Sequence, residues 1–501
     1  MARLSTKHAN QQPVLYQDFS GGLNTSNASE MIQPNELSVS INVEIDKSTG
    51  LLRTVAGTVT LLETEGAGFT DFAYDKLGEA FIICSEDGTV RAWDGESLST
   101  AGNLTGVKTP SFHLWEDGVL IASGGKMQYF HGGTLETIDE SPEVCDGVFV
   151  KDGRVWTYYE DRLHVSAVGD EHSWENDSSI LSSSQWVDIG YKDGGHIVGV
   201  VALSSDVLII KSNGHVFHLA GQFPGWTVRE VSREVSCKGL RSSLAIVNEA
   251  IILGDSLMQA VSTTDTYGDM RAREISTKVR NDIARLPKDV KLRYIPTLNQ
   301  IWLVDGSRRF LFLDMDCGGY YEREYNSPLM DACTVGDDVY ILKPDKLQKL
   351  DDASVWDEGE LMRWHWRGKT LVANNEYLVK RGRADITPLT DNFFDCRFWI
   401  GKAVLKGTFP RSAQSVFHDY SPIYLNDREL WSPSPAPVYE NSPELYGNSE
   451  YLFGNETELY SLNLFRTDER FVERLRGVKV ESIGQGGQLL FNGLGFDMAE
   501  V

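Results

Sequence analysis

Several things are scarce in this chain of 501 residues, and each scarcity excludes a class of protein. Cysteine is sparse and scattered: Cys84, Cys145, Cys237, Cys317, Cys333 and Cys396 include no C-x-x-C pair. That spacing argues against a disulfide framework or a zinc ribbon, and predicts free thiols in a reducing compartment. Positive charge is short, with 47 basic against 72 acidic side chains and a net charge of -25. Wrapping nucleic acid needs Lys and Arg to displace counterions, so the balance disfavours it and suits a surface that DNA passes without binding. No apolar run is long enough to span a bilayer. The best, Ile197 to Ile210, is interrupted by Ser204, Ser205 and Asp206. Met1 to Gln12 is polar, with none of the apolar stretch of a secretory signal.

Catalytic motifs are missing too. There is no G-x-S-x-G, H-E-x-x-H, Walker loop or dinucleotide fingerprint. Asp314, Asp316 and Gly319 start like a calcium loop, but Gly318 and Tyr325 stand where further ligands belong, so a plain turn is expected. His164 and His172, and His215 and His218, lack a third ligand nearby. Acid pairs such as Asp337-Asp338 and Asp351-Asp352 are ordinary in so acidic a chain. Neither a catalytic residue nor a cofactor is expected.

What is abundant is the β-hairpin. Short apolar runs flank Asp87-Gly88, Asp117-Gly118, Asp152-Gly153, Asn213-Gly214 and Asp305-Gly306. Such pairs tolerate the positive φ of a tight hairpin turn. The rhythm persists for nearly 300 residues, longer than one sandwich or barrel needs. The expected fold is all-β: a β-propeller over 63–355, with blades of about 40 residues, six of them, or seven. One short helix interrupts it in ISTKVRNDIARLP, where Ile275, Val279, Ile283 and Leu286 share a face, Ser276 or Thr277 can cap the start and Pro287 stops it.

The ends differ from the middle. Residues 1–62 read as an arm with strands near Val39–Ile45 and Leu51–Leu62, joining a second β domain formed from 356–501. That domain carries an extended loop near 431–465. It begins with Trp431-Ser432-Pro433-Ser434-Pro435-Ala436-Pro437, which opposes helix and central strand alike. From Glu440 to Tyr460 it has five glutamates and no basic residue, and Tyr446, Tyr451 and Tyr460 are candidates for burial against another subunit. A basic cluster, Arg271, Arg273, Lys278, Arg280, Arg285, Lys288, Lys291 and Arg293, stands out from the acidic background. Its first five members are candidates for a contact with an acidic neighbour, where charge sets register. Trp364-His365-Trp366 alternates as a packed strand would, or could offer a sugar platform.

The order of several segments carries a resemblance. Asp18-Phe19-Ser20-Gly21-Gly22-Leu23-Asn24 is followed by Pro34-Asn35-Glu36, Asn42-Val43 and Gly50-Leu51-Leu52-Arg53. Then come Asp152-Gly153-Arg154-Val155-Trp156, Leu163-His164-Val165-Ser166, Trp174-Glu175, Ile197-Val198-Gly199 through Ile209-Ile210-Lys211, Val235-Ser236-Cys237-Lys238-Gly239-Leu240 and the helix. Together, over about residues 15–320, they resemble the tail nozzle proteins of short-tailed bacteriophages, also called packaged-DNA stabilisation or tail tubular proteins. The resemblance implies a non-enzymatic β-propeller subunit of the virion, assembled in the host cytoplasm. Six copies would form a ring below the portal and its adaptor, extend the tail tube, help close and then conduct the genome, and hold fibres or spikes. Genomic DNA would pass through without specific binding, and no membrane is involved. An acidic lumen would avoid trapping it. The rival readings are a propeller that binds or hydrolyses glycans, using channel carboxylates and Trp364 or Trp366, and a cytosolic scaffold.

Overall fold

The computed structural model describes residues 12–175, 183–203, 206–263, 270–389, 394–400, 403–409 and 465–500. The chain divides into two compact units. One comprises Met1–Val59, Leu313–Asn326 and Leu350–Val501, the other Thr60–Phe312 and Ser327–Lys349.

The second unit is a β-propeller. Five four-stranded antiparallel sheets follow one another along the chain. Blade 1 is Phe69–Asp75, Ala80–Ser85, Thr89–Trp93 and Leu98–Asn103. Blade 2 is Ser111–Trp115, Gly118–Ala122, Gln128–His131 and Thr134–Thr137. Blade 3 is Val148–Lys151, Arg154–Tyr159, Arg162–Val165 and Gln185–Asp188. Blade 4 is Ile197–Ala202, Val207–Lys211, Val216–Ala220 and Thr227–Ser232. Blade 5 is Ser243–Ile246, Glu249–Leu253, Met258–Thr263 and Met270–Glu274. Blade 6 supplies Lys291–Ile295, Gln300–Val304 and Arg309–Asp314 before the chain enters the other unit. Blade 7 is Asp331–Val335, Asp338–Lys343 and Lys346–Asp351, with Gly57–Glu63 as its outermost strand.

Seven blades therefore replace the favoured count of six. The seventh is hard to count along the sequence because its fourth strand comes from the other end of the propeller. Gln348 Nε2 donates to Thr60 Oγ1 at 3.0 Å across that seam. The ring closes where Asp331–Val335 runs beside Phe69–Asp75. Phe69, Phe72, Phe81, Ile83 and Trp93 of blade 1 form one buried cluster with Leu342 and Leu347 of blade 7. Second strands such as Ala80–Ser85 and Val207–Lys211 are buried along their full length, because blades pack against both faces of them.

The five Asp-Gly and Asn-Gly pairs singled out above each join neighbouring strands of one blade. At Asp152-Gly153 both residues have positive φ, 56° and 67°, as a two-residue hairpin requires. The helical segment is a 3₁₀ turn, Thr277–Val279, followed by an α-helix, Arg280–Arg285, and it buries Val279 and Ile283. Ser276 does not cap it. Its hydroxyl is taken by the Met258 amide at 2.8 Å.

The first unit has two large sheets beside two short two-stranded ones. One runs Phe465–Val478, Leu371–Pro388, Leu489–Glu500, Leu52–Thr54, Val43–Ile45, with Gln12–Tyr16 also on Leu489–Glu500. The other contains Tyr320–Glu324, Val39–Ile41, Arg363–Arg367, Val480–Gly486, Phe394–Ile400 and Ala403–Phe409. The N-terminal strands thus pair directly with the C-terminal ones. Residues 313–326, read above as propeller, belong to this unit.

Trp364 and Trp366 point inward from Arg363–Arg367, 2% and 1% exposed. Their rings lie 6.3 and 5.8 Å from that of Phe491 on the facing sheet, and Trp366 also meets Phe19 at 5.0 Å. They are core, not a sugar platform. Truncating Trp366 to Ala should cost about 3–5 kcal/mol, the usual range for emptying so large a site. A denaturant titration measures it, and a loss below about 1 kcal/mol would mean the two sheets collapse onto the gap.

Candidate functional site

The innermost strands of the blades carry charges where an apolar alternation would be expected, and those charges meet at the propeller axis. Lys291 leaves the first strand of blade 6 and is almost fully buried. Its ammonium lies 2.6 Å from Asp71 Oδ1 and donates to the carbonyls of Thr70 at 2.7 Å and Met330 at 3.0 Å. One blade-6 cation thereby fastens blade 1 to the start of blade 7. Two residues on, Arg293 holds Asp331 with a two-pronged contact, Nε at 2.6 Å and Nη2 at 3.1 Å. Asp331 also accepts from the Ala332 amide at 2.9 Å. Burial pushes the Asp331 carboxyl up, but Arg293 and Lys291 outweigh it and hold the group below its ordinary value.

Arg241 precedes blade 5 and makes a third tie. Nε donates to Pro110 O at 3.0 Å, Nη2 to Thr109 O at 2.8 Å and Asp146 O at 2.9 Å, and Nη1 to Leu240 O at 3.1 Å. It spans from blade 5 to the approaches of blades 2 and 3 mainly on backbone carbonyls, with the Tyr158 hydroxyl at 3.5 Å and no carboxylate in ion-pair reach among the described residues.

Beside these ties lies a cavity of ≈ 590 Å³. Phe72, Tyr74, Phe112 and Tyr294 wall it, and Arg241, Arg293, His113 and Thr334 supply polar edges. Burial lowers the pKa of His113, which favours the neutral ring at pH 7. Its Nδ1 faces Leu114 O at 2.7 Å.

A comparable knot joins blades 3 and 4. Lys211, fully buried, sits 2.8 Å from Asp161 and 2.5 Å from Asp193, and donates to Ile189 O and Gly190 O. His215 leans on Asp193 and Glu230 at 3.4 and 3.5 Å. These are fastenings between blades, with every strong donor matched.

The basic cluster read from the sequence does not stay together. Lys291 and Arg293 are the interior ties just described, a correction to their grouping with a surface patch. The alternation Lys-Leu-Arg-Tyr inside a strand was the signal for it. Arg280 pairs with Glu274, and Arg285 lies 3.9 Å from Asp282. Arg273, Arg280 and Arg285 are exposed and Lys278 is half-buried; the side chain of Arg271 lies outside the described residues. Tyr446, Tyr451 and Tyr460, with all of 431–465, also lie outside them. Asp314 makes a turn, accepting from the amides of Asp316 and Cys317. Among the described residues no group of His, Cys, Asp and Glu is arranged to hold a metal ion. Cys84, Cys145, Cys237, Cys317 and Cys333 are free thiols. Burial raises their pKa, to about 11 for Cys145 and about 12 for Cys237. No helix among the described residues is long and apolar enough to cross a membrane.

No family model matches the chain, and no curated protein matches it. Similar solved structures are β-propellers. BamB from Moraxella catarrhalis is 12% identical, with a TM-score of 0.38, covering 67% of this chain and 97% of that one. The Cps50 (Swd1) propeller domain of Myceliophteria thermophila is 10% identical, with a TM-score of 0.40, covering 59% and 98%. The N-terminal domain of Nup159 is 9% identical, with a TM-score of 0.38, covering 62% and 98%.

Proposed function

We propose that the chain is a structural subunit of the tail nozzle of a short-tailed bacteriophage virion. Six copies form a ring that continues the tail tube below the portal and adaptor. The ring holds and then conducts the genome and offers attachment to fibres or spikes. The observation that supports this reading is the ordered series of nozzle-like segments across residues 15–320. It begins in the strands of the first unit and continues into the propeller, so it accounts for both units and not only for a generic propeller. The net charge of -25 fits a conduit that must not hold DNA by counterion release. The channel carboxylates Asp71 and Asp331 are each committed to a cation, and Trp364 and Trp366 are buried. Among the described residues, the glycan-active alternative is thus left without the tryptophan platform expected of it.

Electron microscopy of the purified full chain and of particles tests it. Sixfold rings are the expected result; isolated propellers at all concentrations would overturn it. Reversing the exposed cations Arg273 and Arg285 to Glu is expected to weaken ring formation while leaving the unfolding temperature of the single chain unchanged. A parallel deletion of 440–460 is expected to impair assembly without unfolding the propeller.

A further inference from the structure

The propeller cavity is chemically unlike the rest of the molecule. In a chain carrying -25, the residues around it include Arg241, Arg293 and Lys76 and no carboxylate side chain. Its volume of ≈ 590 Å³ lies within the range of about 300–1,000 Å³ of small-molecule sites. Aromatic rings from three blades, Phe72 and Tyr74, Phe112, and Tyr294, form the apolar walls. The polar edge is not fully used. Arg293 spends Nε, one Nη2 donor and one Nη1 donor on Asp331 and Leu292 O, so two of its five N–H groups have no partner among the described residues.

We propose that this cavity binds a small organic anion with a flat, apolar body. The ring of such a ligand would stack among the aromatic walls. Its carboxylate would accept from the spare Arg293 donors, and the uncompensated charge of Arg241 would add attraction. A charged acceptor facing a guanidinium is favoured over a neutral one, and aromatic walls favour a planar body. The inference concerns a single propeller and holds whether or not the chain assembles into a ring.

The test uses the full chain and two probes of nearly the same shape, naphthoate and its neutral amide, naphthamide, titrated by calorimetry. Naphthoate should bind at one saturable site, with the amide about 10-fold weaker or worse, as the loss of a charge-assisted contact implies. Thr334→Trp, which fills the cavity, should abolish naphthoate binding while the unfolding temperature shows the variant folded. Equal binding of the two probes, absence of binding by either, or undiminished binding in the folded Trp variant would overturn the proposal. Should the variant not fold, the comparison of the two probes on the unaltered chain decides alone.

Discussion

Replacing Glu44 with Ala should destabilise the first unit by about 3–5 kcal/mol, the cost of removing one partner from a buried ion pair. Glu44 is 1% exposed and serves two cations at once. Its Oε2 lies 2.6 Å from Nη2 of Arg323, which is itself fully buried. Its Oε1 accepts from Arg53 Nε at 3.0 Å and Nη2 at 2.7 Å. Without the carboxylate, Arg323 keeps its charge in a place water does not reach, and Arg53 keeps the weaker 3.7 Å contact to Asp46. The loss should exceed that of an exposed pair severalfold, since those contribute about 0–1 kcal/mol. Glu44→Gln keeps the shape and loses the charge, so it should fall between. Denaturant unfolding followed by tryptophan emission reads it, because Trp364 and Trp366 lie in the same unit. A loss under about 1 kcal/mol would mean that water enters and solvates Arg323.

The readable parts of this chain were those written in local chemistry. Asn-Gly and Asp-Gly turns sit at the residues that adopt them, so five hairpins could be placed from a dipeptide and its flanking apolar runs. Val279 and Ile283 could be assigned to a buried face from their spacing alone. Long-range pairing was not readable in the same way. Gly57–Glu63 looks like any strand near the start of the chain; only closure of the ring against Lys346–Asp351 makes it part of blade 7. Tyr320–Glu324 continues the hairpin rhythm and, in addition, pairs with Val39–Ile41, where Asn42 Nδ2 donates to Glu324 O at 3.0 Å and its Oδ1 accepts the Glu324 amide at 2.8 Å. The cavity was hidden for the same reason. Arg241, Arg293 and Thr334 are far apart in sequence and meet only at the propeller axis. Lys291 and Arg293 also showed the limit of reading charge by proximity. They neighbour the basic helix in sequence, but they stand on an inner strand where two acids from other blades wait for them.

Those inner acids give the second large effect, and its sign follows from Asp331. The group's pKa in the folded protein is depressed, because Arg293 and Lys291 outweigh the burial that opposes them. In the unfolded chain an aspartate titrates near about 3.9. A depressed carboxylate contributes stability that is present above the unfolded value and is lost as pH falls through the folded one. The propeller should therefore hold its stability from neutral pH to about 4 and lose it below. Asp331→Asn should remove the same contribution at pH 7, costing about 3 kcal/mol. The lower end of the range for a broken buried pair applies because the Arg293 side chain is 23% exposed and can be partly solvated. The decisive comparison is between the two proteins along the pH axis. Since protonation abolishes in the native chain what the substitution has already removed, their unfolding free energies should differ most near pH 7 and converge as pH falls through the depressed folded value of Asp331. Denaturant titrations across that range measure the gap. A gap that stays constant down to low pH would show that Asn disturbs the packing of blades 6, 7 and 1 rather than the charge, and the electrostatic account of the channel would fall with it. Lys291→Met provides the complement: it leaves Asp71, 3% exposed, facing a thioether in place of an ammonium at 2.6 Å. A buried carboxylate left without its cation should cost about 3–5 kcal/mol, read by the same denaturant titration at pH 7.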